Sequence, residues 1–132
     1  MTQVVLDTDV VSFLFKRHPI AFLYLPHFER QTGLISFMTV AELEQWALIY
    51  GWSTERRNRL ETYLERFTEI PSSRDLCRRW AEVMVAARSV GRRIESPDAW
   101  IAATALEYDA PLATHNRRDY LGVPGLRIVS HA

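Results

Sequence analysis

The sequence predicts an α/β protein, a three-layer α/β/α sandwich around a central, mainly parallel sheet of four to five strands. Three observations predict it. Short apolar runs rich in β-branched residues alternate with longer stretches of helical periodicity. Those runs are too uniformly apolar for one face to meet water, so both faces of the sheet must be covered. With 132 residues, 48% of them hydrophobic, the chain can bury a core of ordinary size. No repeat, linker or low-complexity tract divides it, so residues 1–132 are expected to form a single domain.

The elements follow in order. Gln3 to Leu6 is a buried strand that stops at Asp7. Asp9 to Arg17 carries Val10, Phe13 and Leu14 at helical spacing and ends before Pro19. Ile20 to Arg30 reads as an amphipathic helix, with Pro26 as a kink and Gly33 as the break after it. Leu34 to Phe37 is a strand, Thr39 to Ile49 a helix closed by Gly51. Ser53 or Thr54 opens a helix to about Arg66, and Phe67 to Ile70 is a brief strand ended by Pro71. Ser72 or Ser73 caps a long helix with a stripe of Leu76, Trp80, Met84 and Ala87, which Gly91 ends. Ser96-Pro97 starts a helix through Tyr108 that is apolar nearly all round and therefore buried. Pro111 to Thr114 and Leu126 to Ser130 are the last strands.

Composition excludes several classes. No apolar run approaches the ~18 residues of a membrane span, no basic and apolar leader precedes Val4, and Cys77 stands alone. The expectation is a cytoplasmic protein without disulfide or membrane contact. Sixteen basic residues balance sixteen acidic ones, so nucleic acid could be attracted only by a local patch. All the basic residues but Lys16 are arginines, clustered at Arg56-Arg57-Asn58-Arg59, Arg78-Arg79, Arg92-Arg93 and Arg117-Arg118. Each cluster taken alone reads as a solvated helix face or end.

In a parallel sheet ligands bind beyond the carboxyl ends of the strands. Asp7 follows the first strand, Glu42 lies in the first turn of the helix after the second, and Asp98 opens the buried helix. Asn116 and Asp119 follow the strand ending at Thr114. Each has a local alternative. Thr39 to Glu42 makes a capping box, Asp98 suits a helix N-terminus, and Asp7, Asn116 and Asp119 suit caps and turns. Their convergence on one edge is the informative feature. Two ionised carboxylates ~4 Å apart repel by about 1 to 4 kcal/mol, so a cluster raises its own pKa values unless a cation neutralises it. An oxygen-only set selects Mg²⁺ or Mn²⁺ over zinc, and such ions promote hydrolysis of phosphate esters.

At this point four stretches resemble PIN-domain nucleases, and among them the VapC-type toxins of bacterial toxin–antitoxin pairs. They are Val5-Leu6-Asp7-Thr8-Asp9, Ser36 to Leu43, Ser96 to Ala105 and Leu112 to Tyr120, in family order and spacing. The resemblance implies a PIN-like fold and a Mg²⁺- or Mn²⁺-dependent endoribonuclease with one or two ions. It implies Asp7 and Asp98 as primary metal ligands, Glu42 as a ligand direct or through water, and Asp119 as second-site ligand or water orienter. Thr8, Thr114, Asn116 and Arg117 take supporting or substrate-contacting places. It further implies an RNA substrate, a cognate antitoxin protein and a homodimer. Asp9 departs from the family's usual asparagine and reads as a helix cap.

The rival readings are weaker. Asp7-Thr8-Asp9 also fits the start of a haloacid-dehalogenase phosphatase, but Lys16 is the wrong lysine in the wrong place. A phosphoreceiver domain would need its aspartate where Ile70-Pro71 stand. A catalytically silent PIN fold that binds RNA or protein is the better alternative, although carboxylates in a groove contribute nothing to holding a polyanion. The four histidines are scattered and read as surface or packing residues, with His115 the one inside the acidic loop. Trp80 and Trp100 read as core, Trp52 as the tryptophan freest to stack on a base.

Overall fold

The computed structural model describes residues 2–132. Five strands form one sheet: β1 (Thr2–Leu6), β2 (Gln31–Ser36), β3 (Thr68–Ile70), β4 (Leu112–Ala113) and β5 (Ile128–Val129). Their order is β3-β2-β1-β4-β5 and every neighbouring pair is parallel. Six helices cover it: α1 (Thr8–Phe15), α2 (Ala21–Tyr24), α3 (Phe37–Ile49), α4 (Thr54–Leu64), α5 (Arg74–Ser89) and α6 (Ser96–Glu107). The expected sandwich is present, with all five strands. Among the described residues no helix is long and apolar enough to cross a membrane.

Two separate cores occupy the two faces of the sheet. Val5, Leu34 and Leu112 pack with α5 and α6, whereas Val4, Leu6, Ile35 and Ala113 pack with α1 to α4. The alternation along β1 follows from the two-residue period of a strand, and both faces are apolar because both are covered. Each fully buried leucine or valine contributes about 1.5–3 kcal/mol. Helix α6 is the most enclosed: Ala99, Ile101, Ala102, Ala103 and Ala105 are all buried. Its alanines let α5 and the sheet approach closely, and Thr104 Oγ1 satisfies itself on the Trp100 carbonyl at 2.8 Å.

Several boundaries differ from the sequence reading, each for a local reason. Strand β2 starts at Gln31 and runs through Gly33, because pairing with β1 extends from Thr2–Gln31 to Val5–Leu34. Gly33 is no break. A Cβ there would meet the Phe67 ring at 2.9 Å, so the missing side chain makes room for an aromatic laid across the strand. The strand ends at Ser36, whose hydroxyl accepts from Met38 N at 3.0 Å and caps α3. Thr39 is therefore inside the helix, there is no capping box at Thr39, and Glu42 sits in the second turn. Phe37 belongs to the helix and packs edge-on against Trp100. The expected helix from Ile20 to Arg30 is only α2 followed by a 3₁₀ turn at Leu25–His27. Pro26 lacks the backbone donor that would carry α2 on, although Leu25 before it keeps helical geometry at φ −51° and ψ −44°.

The segment after β4 folds back on α5 at Gly122. A Cβ at that position would lie 2.4 Å from the Arg92 carbonyl oxygen and 3.0 Å from Ala87 Cβ, a clash with backbone that no rotamer relieves. Gly122→Ala is expected to destabilise the protein by about 1–3 kcal/mol, read as a lower urea midpoint. An unchanged midpoint would show that this segment does not dock as described.

Candidate active site

The sheet order places β1 at a topological switch. From β1 the chain builds outward through β2 to β3, then crosses by α5 and α6 to β4 on the other flank. By the rule for open α/β sheets, the ligand crevice lies at the carboxyl ends of β1 and β4. Asp7 ends β1 and Thr114 follows β4, so both face this crevice.

Asp7 is the most constrained of the acids, being 6% exposed. Its Oδ1 accepts from Thr8 N at 2.7 Å, which makes it the N-cap of α1. Its Oδ2 accepts from Thr114 Oγ1 at 2.8 Å and from the Tyr120 hydroxyl at 2.9 Å. Burial pushes the Asp7 carboxyl upward in pKa, and its three hydrogen bonds oppose that shift. Tyr120 Oη also stands 3.4 Å from Asp98 Oδ1, in the first turn of α6. The single phenolic proton goes to the nearer partner, Asp7. Burial and then the Asp7 charge raise Asp98 to about 7.

Glu42 joins the group through Thr8. Thr8 Oγ1 is 2.7 Å from Glu42 Oε1 and 3.0 Å from Thr39 Oγ1. One hydroxyl has one proton. It goes to the carboxylate, and Thr39 donates in turn to Thr8. Burial raises Glu42 too, with a further push from Asp7. Asp119 lies in a 3₁₀ turn, Arg117–Tyr120, and is exposed at the rim. Asn116 Nδ2 donates to it at 2.7 Å, while Asn116 N donates to Thr114 Oγ1 at 3.0 Å. Arg117 is exposed on the same turn.

The expected residues thus reach one crevice, though not as an equal set of four. Asp7, Asp98 and Glu42 are linked through two hydroxyls, and Asp119 flanks them. The charge of Asp119 raises both Asp7 and Asp98. Asp9 is not the cap of α1, since Asp7 takes that place. Asp9 Oδ2 instead accepts from His115 N at 3.1 Å and ties α1 to the loop after β4. Burial and the Asp7 charge raise Asp9 to about 7. Sequence reasoning misses Tyr120, because a buried tyrosine beside a turn has no spacing signature. It misses Tyr24 as well. That residue is fully buried, lies 2.8 Å from His115 Nδ1 and donates to the Thr114 carbonyl at 3.0 Å. His27 and His131, remote in sequence, meet with their Nε2 atoms 2.8 Å apart. Trp52 is not free: it stacks on Phe15, and Arg56 lies over its ring at 3.9 Å.

Among the described residues no three His, Cys, Asp or Glu side chains are drawn into a closed metal cage. The donor chemistry still suits a hard cation. Asp7 and Asp98 share one hydroxyl, every nearby ligand is oxygen, and Mg²⁺ typically keeps several waters on one or two carboxylates.

Fold and crevice together define a carboxylate-lined α/β protein with its polar centre at a parallel-sheet switch point. The sequence pattern of the PIN domain matches residues 4–123, and the chain belongs to that family. Ribonuclease VapC1 of Haemophilus influenzae is 27% identical over 124 residues, 92% of each chain. The VapC ribonuclease Y4jK of Sinorhizobium fredii is 29% identical, over 97% of this chain and 96% of its own. Among solved structures, VapBC2 from Rickettsia felis, bound to a promoter DNA fragment, superposes with a TM-score of 0.85 at 21% identity over 98% of both chains. A toxin–antitoxin complex from Klebsiella pneumoniae gives 0.77 at 27% identity over 96% of both.

The raised carboxyls set the pH response. Between the ordinary value of 3.8 and about 7, Asp9 and Asp98 hold more protons folded than unfolded. Stability therefore falls as pH rises through that window. Thermal midpoints should drop across it. Asp98→Asn should flatten the slope. A midpoint that climbs with pH over this range would contradict the electrostatics described.

Proposed function

We propose that the protein is a divalent-metal-dependent endoribonuclease, the toxin of a toxin–antitoxin pair, acting in the cytoplasm as a single domain. The observation that carries this is the Tyr120 hydroxyl standing between Asp7 and Asp98 at the switch-point crevice, with Glu42 joined through Thr8. PIN membership and the ribonuclease names of the relatives support the same reading.

Asp7 and Asp98 are the primary ligands in this reading, Glu42 a ligand direct or through water. Asp119 serves a second position or orients water. A bound Mg²⁺ or Mn²⁺ would supply charge neutralisation at the phosphate and a more acidic water. The protein's own residues set the geometry. Thr114 and Tyr120 fix the plane of the Asp7 carboxylate, and Thr8 holds Glu42 toward the crevice. Burial raises the pKa of Asp98 and Glu42, and a bound cation would offset that and favour the ionised carboxylates that ligate it. Asn116 is placed at the rim to hold substrate or water, with Arg117 beside it to meet a phosphate oxygen. Exposed Leu48, Ile49 and Tyr50 at the end of α3 offer apolar surface for a protein partner.

A binding module without chemistry would give no reason to crowd carboxyls around Asp7 in a crevice. The test is direct. Purified protein should cut single-stranded RNA with Mg²⁺ or Mn²⁺ and stop in EDTA, and Asp7→Asn or Asp98→Asn should abolish the cut. Tyr120→Phe, which removes only the positioning hydroxyl, should lower the rate about 10- to 100-fold. RNA left intact by the wild type under all of these metals would return the silent module to first place.

A further inference from the structure

Away from the acidic crevice, a cavity of about 910 Å³ lies between the end of α1 and the length of α4. Its lining carries Lys16, Arg17, Arg56, Arg59 and Arg66, against one acid, Glu55. Glu55 offsets only Arg59, through an exposed pair at 3.4 Å of little strength. In a chain of zero net formal charge, this is a concentrated basic basin. Tyr63 forms part of its wall, with the Arg66 guanidinium 4.8 Å from the ring centroid.

Two features tie the basin to the crevice. A second cavity of about 270 Å³ lies between α1 and the end of α3, lined by Asp9, Ser12, Phe13, Lys16, Trp46 and Tyr50. Asp9, two residues from Asp7, stands at one end of α1, and Lys16 at the other is shared with the basin. The span is about 12 Å, since eight residues of α1 rise about 1.5 Å each. Then there is Arg17. It ends α1 in the left-handed region with φ of 54°, where glycine is usual. His18 N closes the helix on the Phe13 carbonyl at 2.9 Å. The arginine held in that unfavourable conformation lines the basin.

We infer that the α1/α4 basin holds the phosphate backbone of single-stranded RNA several nucleotides away from the bond that is cut. This rests on the nuclease reading above and adds to it where the substrate's affinity comes from. The crevice, lined by carboxyls, repels a polyanion. The flanking strand must therefore be held by cations elsewhere, and the α1 groove leads to them.

The test uses the full chain carrying Asp98→Asn, so that RNA is bound and not cut. Fluorescence anisotropy follows a long single-stranded oligoribonucleotide over a salt series. Arg59→Glu with Arg66→Glu should weaken binding about tenfold or more and reduce the salt slope by about 0.7 for each phosphate no longer neutralised. Arg74→Glu with Arg88→Glu on α5 makes the same change in net charge and should leave both values unaltered. If the reversals impair folding, Arg59→Gln with Arg66→Gln gives a smaller loss of the same sign. With Asp98 restored, the basin variant should raise KM for long RNA, keep kcat, and leave the cleavage of very short RNA unchanged. Equal affinity and slope in the basin and α5 variants overturns the inference. So does unchanged RNA affinity combined with loss of binding to an acidic protein partner. RNA held through the basin by a wild type that never cuts would instead refute the nuclease reading and leave the basin standing.

Discussion

The interaction on which the site depends is the burial of one carboxylate, Asp7, among three donors from three parts of the chain. Thr8 N begins α1, Thr114 follows β4, and Tyr120 ends the turn beyond it. Removing a carboxylate from water costs several kcal/mol, and charge-assisted hydrogen bonds of about 1.5–3 kcal/mol each offset most of that. Among the described residues no buried side-chain polar atom lacks a partner. The acid is thus both a helix cap and the pin that holds β1 against β4. Structure and chemistry share one group.

That arrangement explains the graded character of the other acids. Asp98 and Glu42 are tied to Asp7 through Tyr120 and Thr8, so burial first and then the Asp7 charge raise their pKa values while each side chain stays partly open to the crevice. Asp119 stays at the rim on Asn116. Asp9, close to Asp7 in sequence, turns toward the His115 backbone and locks the loop that carries Asn116 and Arg117. The acids are crowded, yet their hydrogen bonds are satisfied.

The same electrostatics separate two duties over the surface. Chemistry on a phosphate calls for clustered acids, and holding a phosphate chain calls for bases. The fold keeps them at opposite ends of α1, with Asp7 at one and Lys16 and Arg17 at the other. A chain with balanced charge can then present both fields without either cancelling the other.

Residue order alone was enough to specify the sandwich, because the strands are uniformly apolar and the helices periodic, and those patterns depend only on neighbours along the chain. It also singled out Asp7, Asp98 and Asp119, since strand ends, helix starts and turns are local features, and Glu42 although its helix begins two residues earlier than the pattern suggests. Boundaries set by long-range packing were hidden: Gly33 is in a strand because Phe67 lies over it, and α3 is capped by Ser36. The roles of Tyr120, Tyr24 and Asp9 emerge only from the packed chain. Their partners lie on other elements, and no periodicity records which hydroxyl will fill the space between two acids. The basic basin was invisible for the same reason. Its cations come from two helices far apart in sequence, and only packing α1 beside α4 turns two ordinary solvated faces into one field.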